Sequence, residues 1–290
     1  MRILHPDQAV LDHVAAREAK IIGRTLDWAA INSGSRNAAG LNAMLDVLDA
    51  EARSLPAEVV RIPTQGSVTV GDDGAAQILA HADALKITAR PEAPVQVLLV
   101  AHMDTVYGVD HPFQAAKMLS DGVMNGPGVA DLKGGIVVML HALMALEQSP
   151  FASQIGWQVL FNPDEEIGSI ASDPLLKQSV AGKHVGLVFE PALADGTLAG
   201  ARKGSGNFSI TVRGRAAHAG RNPEEGRNAI VVAAELTQAL FALNSQREGV
   251  TLNPGKMEGG GPLNVVPDLA ILRFNVRTLH TEDENWVTAH

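Results

Sequence analysis

Apolar and polar positions change their period along this chain, and each change marks a different kind of element. Up to about residue 55 the apolar residues recur at helical spacing, as in Leu41, Met44, Leu45 and Leu48, with Ser33-Gly34-Ser35 as a loop between segments. From Val59 short apolar runs bounded by Gly, Pro and Asp take over. Val59-Val60-Arg61-Ile62, Ile78-Leu79-Ala80 and Val95 to Val100 read as strands, and Ile136 to Leu146 reads as a buried helix opened by Gly134-Gly135. Strand-helix alternation of this kind predicts an α/β fold with a mainly parallel sheet.

Past the glycines at 200, 204 and 206 the pattern differs. Asn207 to Arg213 and Leu269 to Arg277 alternate as strands, and Asn228 to Leu243 is a strong helix, which predicts a second, smaller α+β domain. In the later strand Leu272, Phe274 and Val276 point one way while Arg273, Asn275 and Arg277 point the other, so one face packs and the other is wet. The expected division is a domain of residues 1–203 and a domain of residues 204–290. Thr281-Glu282-Asp283-Glu284 reads as the capping-box start of a short last helix.

The polar residues that come after the apolar runs carry the chemistry. Leu98 to Ala101 leads into His102-Met103-Asp104, Val123 to Ala130 leads into Asp131, Val159 to Phe161 precedes Asp164-Glu165-Glu166, and Gly186 to Phe189 ends at Glu190. The gaps between His102, Asp131, Glu166 and Glu190 are 29, 35 and 24 residues, close to the roughly 30 residues of one strand-helix-strand unit. In open α/β sheets, ligands gather beyond the carboxyl ends of the strands, so four such groups can converge on one site. These are metal-ligand types, and their convergence predicts a two-metal hydrolase.

Composition narrows the picture. The 290 residues are 46% hydrophobic, ample for a buried core, and the formal charge of -9 with no basic run argues against nucleic-acid or anionic-membrane partners. The absence of cysteine means that any metal is held by His, Asp and Glu. The first residues lack the apolar core of a signal peptide, and Ile136 to Leu146 is too short to span a bilayer, so a soluble, cytoplasmic protein is expected. Asn207-Phe208-Ser209 is read as a chance match to a glycosylation sequon.

Two metal ions about 3.5–4 Å apart can polarise an amide carbonyl and lower the pKa of a water toward about 7. A carboxylate bridges two metals through its two oxygens whereas an imidazole normally binds one, so Asp131 suits the bridge and His102 a terminal position. Asp104 suits the acceptor for the other ring nitrogen of His102. If Glu166 coordinates, Glu165 can serve as general base and then hand its proton to the leaving amine. Taken alone, Glu165-Glu166 reads as charges at the start of a helix, and it is the joint placement of the four groups that points to chemistry.

The segments Ala101-His102-Met103-Asp104-Thr105-Val106, Gly126 to Gly135, Asn162 to Ser169 and Phe189-Glu190-Pro191 resemble the di-zinc aminoacylase and carboxypeptidase family. The wording around His102 and Glu166 is most similar to glutamate carboxypeptidases, with acetylornithine deacetylases and succinyl-diaminopimelate desuccinylases as further relatives. The resemblance implies that His102 and Glu190 bind one zinc, Glu166 the other, Asp131 bridges them and Glu165 is the base, with cobalt or manganese able to substitute. It implies a cis peptide at Asp131-Leu132. It also makes the second domain a dimerisation lid, in which His218 of Ala217-His218-Ala219-Gly220 reaches the partner subunit's site and stabilises the oxyanion, while Asn264 and Arg277 bind the substrate's terminal carboxylate. In relatives the lid leads into a further segment that supplies a late histidine ligand, and the resemblance implies that both domains are incomplete in these 290 residues.

Two functions stand as expectations. The first is zinc-dependent hydrolysis of an amide in an N-acyl amino acid or peptide, by a homodimer that releases a C-terminal amino acid or removes the acyl group. The second is a non-catalytic metal-binding or dimerisation module of the same family.

Overall fold

Three helices open the chain where the helical spacing places them: α1 (His5–Ala15), α2 (Glu18–Ala29) and α3 (Ala38–Ala52). Asn37 caps α3, its side chain accepting from the Gly40 N–H at 3.2 Å. Next come β1 (Glu58–Ile62), the hairpin β2 (Ser67–Val70) and β3 (Ala76–Leu79), β4 (Ala84–Ala89) and β5 (Val95–His102). A further hairpin, β6 (Lys117–Ser120) and β7 (Val123–Asn125), precedes α4 (Lys133–Glu147), β8 (Ile155–Asn162), α5 (Asp173–Ser179) and β9 (Val185–Val188). The chain ends with β10 (Gly204–Arg213), α6 (Ala229–Ala242), β11 (Thr251–Gly259), β12 (Leu269–Thr278) and α7 (Thr281–Ala289). This computed structural model describes residues 5–120 and 122–290.

The residues fall into two units. The first runs up to Ser67 and again from Ala80 to Leu193. Its sheet has the order β1-β4-β8-β5-β9. Helices α4 and α5 carry the chain from β5 to β8 and from β8 to β9, so these three strands run parallel; β1 and β4, linked without a helix, run antiparallel. The parallel part is therefore the half that carries the predicted site. Leu41, Met44, Leu45 and Leu48 of α3 pack with Leu85 and Ile87 of β4, Trp157 and Val159 of β8, and Ile136 and Leu140 of α4, all buried. The helical residues read from the sequence as a stripe are thus one wall of the core. At the other edge of the sheet all four residues of β9 are exposed.

The second unit is Val68–Leu79 together with Ala194–His290. Its antiparallel sheet has the order β10-β12-β11. Ala229 and Ala233 of α6 pack on Ala270, and Leu252 and Val276 pack with Leu240, Trp286 and Val287. The opposite face is only half wet. The β2–β3 hairpin belongs to this unit: Arg273 Nη2 donates to Val70 O at 2.9 Å and Arg213 Nη2 to Gly74 O at 3.0 Å. A Cβ on Gly74 would lie 2.7 Å from the Thr211 methyl, so only glycine allows this approach. Ile271, on the same polar-facing side as Arg273, is accordingly buried. The cap of α7 is His280, one residue before the predicted Thr281, because Asp283 Oδ2 accepts the N–H of His280 at 3.0 Å rather than Glu284 reaching Thr281. Among the described residues no helix is long and apolar enough to cross a membrane.

Candidate metal centre

The register of the parallel strands explains why distant residues meet. Val100 of β5 lies opposite Leu160 of β8 and Val188 of β9, so His102 at the end of β5, the turn after Asn162 and Glu190 two residues past β9 emerge at one edge. Phe189 is held in step by its N–H, which donates to Val100 O at 2.9 Å. Asp131 arrives from the loop before α4, and its peptide bond to Leu132 is cis.

His102, Asp131 and Glu190 present ligand atoms that all lie within 4.8 Å of one another. His102 Nε2 is 2.9 Å from Asp131 Oδ1 and 3.6 Å from Glu190 Oε1. One imidazole nitrogen and two carboxylates form a donor set suited to zinc and similar dications. The electrostatics agree with that fit. Burial of His102 lowers its pKa, but hydrogen bonds to Asp104 and Asp131 and the charges of Asp104 and Glu190 outweigh it and raise the value from 6.5 to about 11. The surrounding carboxylates thus favour positive charge at the His102 ring.

Asp104 is fully buried and supports both sides of the site. Its main-chain carbonyl lies 3.0 Å from His102 Nδ1, with its Oδ1 at 3.3 Å. The same carboxylate accepts the N–H of Glu165 on Oδ1 and the N–H of Glu166 on Oδ2, each at 3.1 Å. Ser35 Oγ donates to Oδ2 at 2.7 Å. A 3-10 turn, Glu165–Ile167, is thereby hung from the loop after β5. Lys133 is buried too; its Nζ donates to Ile31 O at 2.5 Å, and burial lowers its pKa to about 8.

Glu165 Oε2 comes within 3.9 Å of His102 Nε2. Burial, aided by the charges of Asp104, Asp131 and Asp164 and opposed by His102, raises its pKa. Glu166 lies beside it in the same field, and burial, then the charge of Asp131, raises its pKa from 4.5 to about 7. Its carboxylate is not one of the three converging groups.

In the second unit His218 and Asn264 lie together: Ala219 N–H donates to Asn264 O at 2.9 Å, and His218 bridges Val265. Arg277 lies elsewhere. The eight steps of β12 from Leu269 to Arg277 alone span about 26 Å at roughly 3.3 Å per residue, away from the His218–Asn264 end. Sequence reasoning missed Ser35, which nothing local marks as a partner of Asp104. Two further histidines have partners of their own: His81 Nε2 lies 2.7 Å from Ser67 Oγ, and His184 Nδ1 accepts the Gln96 N–H at 3.0 Å.

Residues 84–202 match peptidase family M28, and residues 200–289 match the M20-type peptidase dimerisation domain. Carboxypeptidase G2 of Pseudomonas sp. (strain RS-16) is 32% identical over 276 residues, which cover 94% of this chain and 64% of that protein. Succinyl-diaminopimelate desuccinylase 2 of Shewanella loihica is 28% identical over 238 residues, 75% of this chain and 60% of that protein. An M20 family metallo-carboxypeptidase from Sulfolobus solfataricus superposes with a TM-score of 0.67 over 93% of this chain and 74% of its own, at 14% identity. The chain thus spans less than two thirds of the length of these two sequence relatives.

Proposed function

The chain is built from M20/M28-type peptidase domains, and from that premise we propose that it hydrolyses the amide bond of an N-acyl amino acid or peptide with zinc, releasing a C-terminal amino acid. The observation that carries this reading is the convergence of His102, Asp131 and Glu190 within 4.8 Å, with Glu165 3.9 Å from the histidine nitrogen. Bound zinc would supply Lewis acidity and make a water acidic enough to attack at neutral pH. His102 and Glu190 would hold one ion, Glu166 a second, and Asp131 both.

Glu165 takes the proton from the attacking water and returns it to the leaving amine nitrogen, a task its raised pKa suits. Asp104 keeps that carboxylate and the His102 ring in place. His218 stabilises charge on the carbonyl oxygen, and Asn264 and Arg277 bind the terminal carboxylate of the substrate. Because His218 and Asn264 lie so far along the sheet from Arg277, a homodimer in which two subunits contribute to one site accommodates all three. Removal of the acyl group as the physiological reaction, as in the desuccinylase relative, is the neighbouring alternative.

The test is zinc per chain after dialysis, and then turnover of acyl-amino acids by the wild type and Glu165→Ala. The reading expects bound zinc in both and turnover in the wild type alone. Zinc lost together with turnover contradicts the base role, and no zinc at all leaves only a non-catalytic module.

A further inference from the structure

The half of the lid sheet's polar face that the β2–β3 hairpin leaves uncovered carries a directed chain of side-chain hydrogen bonds. Asn207 of β10 lies opposite Asn275 of β12, and Ser205 lies opposite Arg277. Asn275 Nδ2 donates to Asn207 Oδ1 at 2.7 Å, to Gly206 O at 3.2 Å and to Ser205 Oγ at 3.3 Å. On its other side Asn275 Oδ1 accepts from Arg277 Nε at 2.9 Å. A guanidinium can only donate, so Arg277 fixes which way the Asn275 amide faces, and Asn275 in turn fixes Asn207.

This arrangement occupies one edge of the guanidinium and leaves another open. Arg277 is exposed, and among the described residues its Nη1 and Nη2 meet no acceptor and no carboxylate pairs with it. By contrast Arg273, four residues earlier on the same face of β12, is spent on Glu258, Ser209 and Val70. A guanidinium whose two terminal nitrogens are free presents the fork that matches a carboxylate bidentately. A free arginine loses much rotamer freedom when it grips a ligand, and a side chain already tethered at Nε loses less.

We propose that Asn275, backed by Asn207, is a positioning residue that holds Arg277 as a preformed fork for the substrate's carboxylate. The inference rests on the carboxylate role given to Arg277 above, and it assigns to the two asparagines the affinity that a loose arginine would forfeit. An ordinary solvated strand residue would need no such chain behind it.

Two variants separate this inference from the reading it rests on, using an acyl-amino acid and its carboxamide as paired substrates. Arg277→Ala is expected to raise KM for the acid while leaving the carboxamide unaffected; an unchanged KM would end the carboxylate reading itself. Asn275→Ala is expected to raise KM for the acid by about threefold to tenfold with kcat nearly unchanged. A raised KM in Arg277→Ala beside an unchanged KM in Asn275→Ala overturns the positioning role alone. Independently of turnover, NMR of the arginine side chains in the 290-residue protein reads the tether directly. The Arg277 Nε–H should exchange slowly with water in the wild type and at the rate of a free arginine in Asn275→Ala, and equal rates in both overturn the proposal.

Discussion

Glu165 donates its main-chain N–H to Asp104 Oδ1 at 3.1 Å, across 61 positions of sequence. The proposed base and the ring of His102 therefore share one support, since Asp104 also accepts from Glu166 and Ser35 and faces His102 Nδ1. A buried carboxylate with three donors is a rigid element, and the loop after β5 cannot shift without moving the turn after β8.

Asp104→Ala is the substitution that tests this. It leaves the main-chain N–H groups of Glu165 and Glu166 without their acceptor, each costing about 1–3 kcal/mol, and leaves the Ser35 hydroxyl with only the Thr105 carbonyl at 3.4 Å. A loss near 3 kcal/mol is expected in urea unfolding, together with a fall in turnover on the order of 100-fold. An unfolding midpoint that stays in place would show that water replaces the carboxylate and that the coupling is weak.

The meeting of His102 and Glu190 was readable because each comes after an apolar run and parallel strands deliver the residues beyond their carboxyl ends to one edge, whereas Asp131 follows the separate β6–β7 hairpin and comes in on the loop before α4 rather than from a strand of that sheet. Pairings across long separations were not readable. Ser35 reaches Asp104 over 69 positions, and no local pattern distinguishes it from any loop serine. Ile78-Leu79 announced a strand, but alternation does not say which sheet a strand serves, and the hairpin it forms packs on Arg213 and Arg273 of the second unit. Similarly, the wet face of β12 was legible while its asparagine chain was not, since that depends on the register that sets Asn207 opposite Asn275.

The first unit has its own keystone at the end of its sheet away from His102. Arg90 grips Glu147 through both terminal nitrogens, at 2.8 and 2.5 Å, and the buried Trp157 Nε1 donates to the same carboxylate at 2.8 Å. Burial raises the Glu147 pKa, but Arg90 and Trp157 outweigh it and lower the value below 4.5. Its contribution to stability is therefore present at neutral pH and lost as pH falls below the ordinary glutamate range. Glu147→Ala should cost about 3 kcal/mol at pH 7 and progressively less toward pH 3, measured by urea unfolding. A cost independent of pH would assign it to packing instead.

Among the described residues strand β9 has no neighbour on its outer edge, and its Val185, Leu187 and Val188 are exposed at 46%, 45% and 68%. Exposed apolar edges template pairing with other chains, and a charge there opposes it. Leu187→Lys is expected to raise the soluble, monodisperse fraction after heating, read by light scattering, with the zinc content unchanged. Aggregation identical to the wild type would place the weak point elsewhere.

The proton affinity of the metal cluster leads to a pH dependence of metal binding with a definite sign. His102, raised from 6.5 to about 11, is protonated throughout the neutral range, and Glu166, raised from 4.5 to about 7, is half protonated near neutrality. Both raised values act in the same direction on the metal-free fold, which loses stability as pH rises, through Glu166 from about 4.5 to 7 and through His102 from about 6.5 to 11. A dication taking the imidazole nitrogen and the carboxylates must displace those protons, so binding releases them and its affinity grows about tenfold per pH unit for each proton displaced. Zinc should therefore raise the melting temperature more at pH 8 than at pH 6, and calorimetry in buffers of different ionisation enthalpy should detect protons released at both. A zinc-induced shift that is equal at the two pH values would mean that the ion binds without displacing the His102 proton, and the cluster of His102, Asp131 and Glu190 would then not be its site.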